Sequence, residues 1–154
     1  MPLGVHFAIT DEQRQKLEAC KTDDERKECV QEEIEEEWDK AFLVETDKAW
    51  DAIHRSLGEF PPNVQCFYED DWSHGEKWAA PEDYGSPPLK LAVLGGKKLM
   101  DWEGNHFIRL IEPGEVSQIA AALIDIDEAE LRRRYFKHCE GAWPEYGEED
   151  FEYT

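Results

Sequence analysis

The sequence predicts an α+β fold: a small, mostly helical single domain with a short β-sheet covered by helices. Two segments rich in β-forming residues, 3–10 and 106–112, lie far apart in the chain. Between and after them come segments with helical periodicity and N-capping signals. Strands separated by helices are typical of a small sheet with helices packed on it. A chain of 154 residues is long enough for one sizeable core, so residues 1–154 are expected to form one domain.

Two helices are predicted directly after the first strand. Thr10 and Gln13 have the spacing of a capping box, which predicts a helix to about position 20. Thr22 and Glu25 repeat this signal for a second helix, which reaches about position 40. Its apolar stripe consists of Val30, Ile34, Trp38 and Ala41. Its other faces carry an acidic band of Glu32, Glu33, Glu35, Glu36, Glu37 and Asp39.

The segment 45–58 predicts a third helix. Thr46 is placed as its N-cap, with Asp47 near the positive end of the helix dipole. Gly58 is predicted to end it at the C′ position. Trp50, Ile53 and Leu57 would share its apolar face.

The second half of the chain begins with a long aromatic loop, 59–88, whose aromatic side chains either pack onto the core or form an interface. Gly95 and Gly96 predict a tight turn, because they lack the spacing of a phosphate-binding loop. Pro113 suits the first position of a helix that is the clearest amphipathic one in the sequence. Its apolar face consists of Val116, Ile119, Ala120, Leu123 and Ile124. Asp127 and Glu130 begin the last helix, whose basic run 132–134 is expected to face water or pair with acids.

The composition favours an acidic globular protein. The net charge of −20 comes from 37 acidic and 17 basic residues, so the chain repels nucleic acid and anionic membranes and attracts basic surfaces. The sequence lacks a run of roughly 20 apolar residues and a signal peptide, which favours the cytoplasm. The spread of the four cysteines suggests neither a zinc site nor a disulfide framework, so reduced thiols are expected.

No familiar catalytic motif is present in the sequence. The serines lack a G-x-S-x-G context, and the five histidines form neither H-E-x-x-H nor a tight cluster with carboxylates. Neither a metal nor a cofactor is therefore predicted, and no catalytic residue can be assigned.

Trp50 and His54 are neighbours on the predicted third helix, since they are four residues apart. In one interpretation Trp50 anchors the core and His54 lies at its edge, hydrogen-bonded to the backbone. In the other, His54 lines a pocket with Asp47 and Trp50 and acts as a base or pH switch, because the pKa of histidine is normally about 6.5.

Four segments in this order carry a family resemblance: DKAWDAIHRSL, PLKLAVLGGKKL, IEPGEVSQIAAAL and ELRRRYF. Together they resemble the YfbM-like family of bacterial domains of unknown function. The most specific word is matched by Asp47, Lys48, Trp50, Ile53 and His54. The resemblance implies a small cytoplasmic α+β domain, without supplying catalytic residues. Because the chain ends at Thr154, it is expected to lack a C-terminal helix and strand of the family, and the open sheet edge could pair two copies.

The first functional hypothesis is a non-catalytic acidic module that binds a basic protein, such as an immunity-type inhibitor of a toxin enzyme. Its expected binding residues are Glu33, Glu36, Glu37, Asp70, Asp71, Trp72, Glu148, Glu149 and Asp150. The alternative is an enzyme or small-ligand-binding domain with a pocket around Trp50 and His54. Mimicry of nucleic acid is a third hypothesis, but it needs regular rows of acids, and the sequence shows one acidic helix.

Overall fold

The structure is a computed structural model, and it describes residues 4–35, 43–47, 49–61, 87–103, 106–141, 147–149 and 151. Within these residues it has the predicted α+β fold, with helices and two antiparallel two-stranded sheets. The chain divides into two compact units. The first consists of Met1–Lys48 and Leu99–Ile108, and the second of Ala49–Lys98 and Arg109–Thr154.

The first unit contains one two-stranded sheet and the N-terminal helices. Its elements are β1 (Gly4–Phe7), α1 (Asp11–Ala19), α2 (Asp23–Val30), a π-helical turn (Gln31–Glu35) and β2 (Leu43–Asp47). Strands β1 and β2 pair antiparallel, with Val5 opposite Glu45 and Phe7 opposite Leu43. Leu17, Ile34 and Met100 are its buried apolar side chains within the described residues.

Both predicted capping boxes are confirmed. The amide of Gln13 donates to Thr10 Oγ1 at 3.2 Å, and Gln13 Oε1 accepts from the amide of Thr10 at 2.9 Å. At the next helix the amide of Glu25 donates to Thr22 Oγ1 at 3.2 Å, and Glu25 Oε2 accepts from the amide of Thr22 at 3.3 Å. Two otherwise unsatisfied amide donors are thereby paired at each helix start.

The predicted second helix is only partly regular. It is α-helical to Val30 and then widens into the π-helical turn. From its predicted stripe Ile34 is buried and Val30 is half-buried. Trp38 and Ala41 lie outside the described residues.

The prediction that Thr46 begins the third helix is wrong. Thr46 and Asp47 belong to β2, and the Thr46 hydroxyl donates to the carbonyl oxygen of Gly4 at 3.2 Å. The β-branched residues of the run LVETD favour strand pairing with β1 over a helix start. The third helix begins at Trp50, and its N-cap, Ala49, provides no side-chain hydrogen bond.

The second unit is mainly helical. Its helices are α3 (Trp50–Gly58), α4 (Leu91–Leu94), α5 (Pro113–Leu123) and α6 (Glu128–Cys139). A second sheet pairs β3 (Lys97–Glu103) with β4 (His106–Leu110), and the larger part of both strands, within Leu99–Ile108, belongs to the first unit. Helix α3 packs against α6 and α4, and α5 packs against α4. Pro113 is the first residue of α5, and Asp127 caps α6 by accepting from the amide of Glu130 at 2.8 Å, as the sequence predicted.

The predicted role of Gly58 needs correction. Gly58 is the last residue of α3, and Glu59 takes the left-handed position that follows, with φ of 55°. A Cβ at Gly58 would lie 2.3 Å from Cε2 of Phe60. The ring of Phe60 is completely buried, so the glycine is required by packing. Of the predicted aromatic loop, 62–86 lies outside the described residues.

The turn at Gly95 and Gly96 provides a test of backbone strain. Gly96 has φ of +83°, and an added Cβ would lie 2.2 Å from the carbonyl oxygen of Leu110. We expect Gly96→Ala to lower the free energy of unfolding by about 1–3 kcal/mol in urea denaturation. Gly114→Ala is the control, because a Cβ there meets no atom within 4 Å. Equal stability of the two variants would contradict the expectation.

Most of the predicted apolar face of α5 is exposed. Ile119 is buried, but Val116 is 50% exposed, Leu123 is 38% exposed and Ile124 is 83% exposed. Ala120 is exposed as well. The helix packs against α4, which has only four residues and is too short to cover a wide apolar face.

Candidate functional site

Helix α3 contains most of the sequence word that carried the family resemblance, and it is buried on nearly all sides. Trp50 and Ala52 provide apolar contacts, and Leu57 lies further along the helix. The same helix has four completely buried polar side chains: Asp51, His54, Arg55 and Ser56. Buried polar groups cost free energy unless they are paired, so the partners of these four decide what the helix can do.

Asp51 and Arg55 form a buried ion pair one helical turn apart. Arg55 Nε donates to Asp51 Oδ2 at 2.9 Å, and both side chains have no exposed surface. Attraction between the charges compensates for their removal from water only while both remain. The stability of α3 therefore depends on keeping both Asp51 and Arg55.

His54 lies inside the core and not at its edge. Its ring is 4.7 Å from the ring of Phe60, with an angle of 41° between the planes. Within the described residues, neither ring nitrogen has a hydrogen-bond partner. The predicted backbone hydrogen bond is therefore wrong as well.

The electrostatic surroundings of His54 keep it neutral. Burial lowers its pKa to about 3, and the positive charges of Arg55 and Arg109 act in the same direction. A histidine with this pKa holds no proton to release near neutral pH and is too weak a base for proton transfer there. The arrangement does not suit a pH switch between pH 5 and 8.

Helix α6 brings a thiol and a second imidazole next to α3. Cys139 Sγ lies 3.7 Å from Ser56 Oγ and 3.7 Å from the carbonyl oxygen of Ala52. The Ser56 hydroxyl donates to the same carbonyl at 2.7 Å. Burial raises the pKa of Cys139 to about 11, so the thiol is protonated and a poor nucleophile.

His138 contacts Glu59 and Phe60, the two residues that directly follow α3. Its Nδ1 is 3.0 Å from the carbonyl oxygen of Phe60, and its Nε2 is 4.0 Å from Glu59 Oε1. Burial lowers the pKa of His138 as its largest effect. The buried polar side chains of α3 and the end of α6 are thus held by hydrogen bonds and by the Asp51–Arg55 ion pair, and the Cys139 thiol is unreactive.

The predicted pocket residues are only partly described. Trp50 and His54 both lie in the buried helix α3. Asp47 lies at the end of β2, and its side chain is outside the described part of the structure. That Asp47 lines a pocket with Trp50 and His54 therefore remains a prediction.

Of the predicted acidic binding residues that the structure describes, Glu33 is half-buried and Glu148 is exposed, and both form ion pairs. Glu33 Oε2 accepts from Lys16 Nζ at 2.6 Å, and Glu148 Oε1 accepts from Arg132 Nη2 at 2.6 Å. Glu149 is exposed. The other predicted members lie outside the described residues: Glu36, Glu37, Asp70, Asp71, Trp72 and Asp150.

The basic run of α6 is paired, as one interpretation of the sequence predicted. Glu130 accepts from Arg133 and from Arg134, at 2.7 Å in each case. These hydrogen bonds lower the pKa of Glu130 to about 2. The guanidinium carbon of Arg132 lies 5.0 Å from the ring centres of both Phe136 and Phe151.

Sequence reasoning missed one surface, which we call the α5 apolar face: Val116, Ala120, Leu123 and Ile124. Its periodicity was visible, but the sequence does not say whether another element covers it. Exposed Asp125, Asp127 and Glu128 follow it directly. The surface therefore combines apolar side chains with an acidic border.

Metal binding and membrane spanning are two further properties on which the described residues give information. They contain no group of three histidine, cysteine, aspartate or glutamate side chains that could hold a metal ion. In the same part of the chain, no helix has the length and apolar character needed to cross a membrane.

Comparison with known proteins identifies a family. The sequence model of DUF1877, a domain of unknown function, matches residues 2–154. No curated protein and no solved structure matches the chain. The chain belongs to the DUF1877 family.

Proposed function

We propose that this DUF1877 domain is a non-catalytic acidic module that binds a protein with a basic surface. The observation that carries the proposal is the α5 apolar face with its acidic border, in a chain of net charge −20. We further propose that the chain is a single YfbM-like bacterial domain working in the cytoplasm.

The α5 apolar face has the composition of a binding centre. Ile124 is 83% exposed and Val116 is 50% exposed, and both lie on one helix or at its end. Contiguous exposed apolar side chains with a polar border are typical of protein–protein contact sites. Burial of such side chains would provide most of the binding free energy.

The charges around this face favour a basic partner. The arginines of the basic run of α6 form ion pairs with Glu130 and Glu148. Asp125 and Glu128 are exposed close to Ile124 in the chain, so they give this region a negative charge. An acidic border speeds association with a positively charged surface and weakens binding to anionic ones. Glu33, Glu148 and Glu149, with the predicted acids outside the described residues, would add to the attraction for a basic partner through the net charge of the chain.

A second copy of this chain is a less suitable binding partner than a basic protein. Each would bring a net charge of −20, and like charges placed together at an interface are unfavourable. Pairing of two copies through an open sheet edge is therefore an alternative outcome, detectable as a dimer in light scattering. An immunity-type inhibitor of a toxin enzyme with a basic cleft is our specific suggestion, based on size and charge.

The alternative is an enzyme or small-ligand domain with a pocket at Trp50 and His54. Both side chains are buried, and the low pKa of His54 makes it unsuited to acid–base chemistry at neutral pH. These properties favour a scaffold role for α3.

The proposal predicts that binding of the partner depends on the α5 apolar face. Capture from a lysate of the source organism should give a stoichiometric basic protein, and the purified pair can then be titrated by calorimetry. Val116→Ser and Ile124→Ser should each weaken binding by at least about tenfold, because each removes apolar contact area. Raising the salt concentration should weaken binding further, because exposed charges are screened.

Gln118→Ser is the matched control, because Gln118 is exposed on α5 but is not part of the apolar face. It should bind like the wild type. The proposal fails if no protein is captured at low salt, or if the two serine variants and the control bind the partner equally well.

A further inference from the structure

Two half-buried thiols, those of Cys20 and Cys29, meet where α1 packs against α2. Cys20 directly follows α1, and its thiol donates to the carbonyl oxygen of Lys16 at 3.3 Å and lies 3.6 Å from that of Glu25. Cys29 lies one helical turn beyond Glu25 in α2, and the nearby Cys20 thiol contributes to raising its pKa. Both cysteines are free.

We propose that Cys20 and Cys29 are a modification site, at which a small-molecule disulfide such as glutathione disulfide oxidises them to a reversible intramolecular disulfide. Because the Cys20 thiol contacts the carbonyl oxygen of Glu25, one helical turn before Cys29, side-chain rotation and small backbone shifts would bring the two sulfurs to the S–S bonding distance of about 2.05 Å. The inference does not depend on the proposed binding function.

The reaction balances in two exchange steps. The thiolate of Cys20 attacks glutathione disulfide, forms a mixed disulfide and releases one glutathione thiolate. Cys29 then loses its proton and attacks the Cys20 sulfur, which forms the protein disulfide and releases the second glutathione. The two protein thiols lose two electrons and two protons, and one glutathione disulfide becomes two glutathione thiols.

The surroundings set the rate and the selectivity. Burial, as the largest effect, raises the pKa of Cys29, whereas the charge of Lys16 lowers it. The second step should therefore accelerate as the pH rises from 7 to 8.5, because more thiolate is present. Cys139 is buried with a pKa raised to about 11, so it should remain reduced.

The test is non-reducing peptide mapping of the full chain after incubation with glutathione disulfide. Trypsin cleaves after Lys21 and Lys27, so Cys20 falls in the peptide 17–21 and Cys29 in 28–40. We expect these two peptides to appear joined, with a mass about 2 Da below their sum because two hydrogens are lost. The joined species should be monomeric on a non-reducing gel and should separate on addition of dithiothreitol.

Cys20→Ser and Cys29→Ser are the two variants, and circular dichroism is used to check that each is folded before it is incubated with glutathione disulfide. Each variant should keep glutathione on its remaining thiol of the pair, because no second thiol can displace it. The proposal is overturned if the folded wild type retains glutathione separately on both cysteines, leaves both reduced at pH 8.5, or joins either one to Cys66, to Cys139 or to another chain.

Discussion

Replacing Asp51 by asparagine should lower the free energy of unfolding by about 3–5 kcal/mol. Asparagine has nearly the size of aspartate but no charge, so the completely buried Arg55 would lose the carboxylate to which it now donates at 2.9 Å. Breaking a buried ion pair is far more costly than breaking a surface pair. Urea denaturation of the two proteins measures the difference.

The double variant Asp51→Asn, Arg55→Met provides the control. It removes both charges, and we expect it to be more stable than Asp51→Asn alone, because no buried charge is left. Glu148→Gln removes an exposed ion pair with Arg132 and should change stability little. The buried-pair interpretation is wrong if Asp51→Asn unfolds at the same urea concentration as the wild type.

Acid should destabilise the protein through His54. The pKa of His54 is about 3 in the folded state and about 6.5 in the unfolded chain, so the unfolded chain binds more protons between these pH values. The contribution of His54 to stability is therefore complete above pH 6.5 and is lost as the pH falls towards 3. At about 1.4 kcal/mol per pKa unit, the loss reaches about 4 kcal/mol near pH 3. Burial also lowers the pKa of His6 and of His138, which adds loss in the same direction.

His54→Leu isolates this contribution. Leucine is apolar and cannot take up a proton, and neither imidazole nitrogen has a partner among the described residues that the substitution would break. Near pH 7 we expect the variant to be about as stable as the wild type, and at pH 3.5 more stable. Identical pH dependence of urea unfolding in the two proteins would show that His54 does not titrate between the folded and unfolded states.

Local signals in the sequence predicted the fold class and several element boundaries. The capping residues Thr10, Thr22 and Asp127, and Pro113 at a helix start, each act through neighbouring backbone groups. Such contacts span three or four residues, so a sequence pattern can reveal them. Thr46 was placed wrongly because its contact in the sheet, the carbonyl oxygen of Gly4 to which its hydroxyl donates, is 42 residues away in the chain.

The candidate sites show the same limit. Helix α3 was recognisable, but its predicted face of Trp50, Ile53 and Leu57 gave no indication that Asp51 and Arg55 would be the more deeply buried residues. Their burial depends on α6, far along the chain. The α5 apolar face was also recognisable as a periodic pattern, but exposure depends on how much of it α4 can cover.

Hydrogen–deuterium exchange of the purified chain, with and without its captured partner, is the most direct test of the binding function. We predict slower exchange in the complex at α5, residues 113–124, and at the start of α6, where the acidic border lies. Exchange in α3 should change little, because that helix is already buried. Protection confined to α3 or absent from α5 would contradict the proposal that the α5 apolar face is the binding centre.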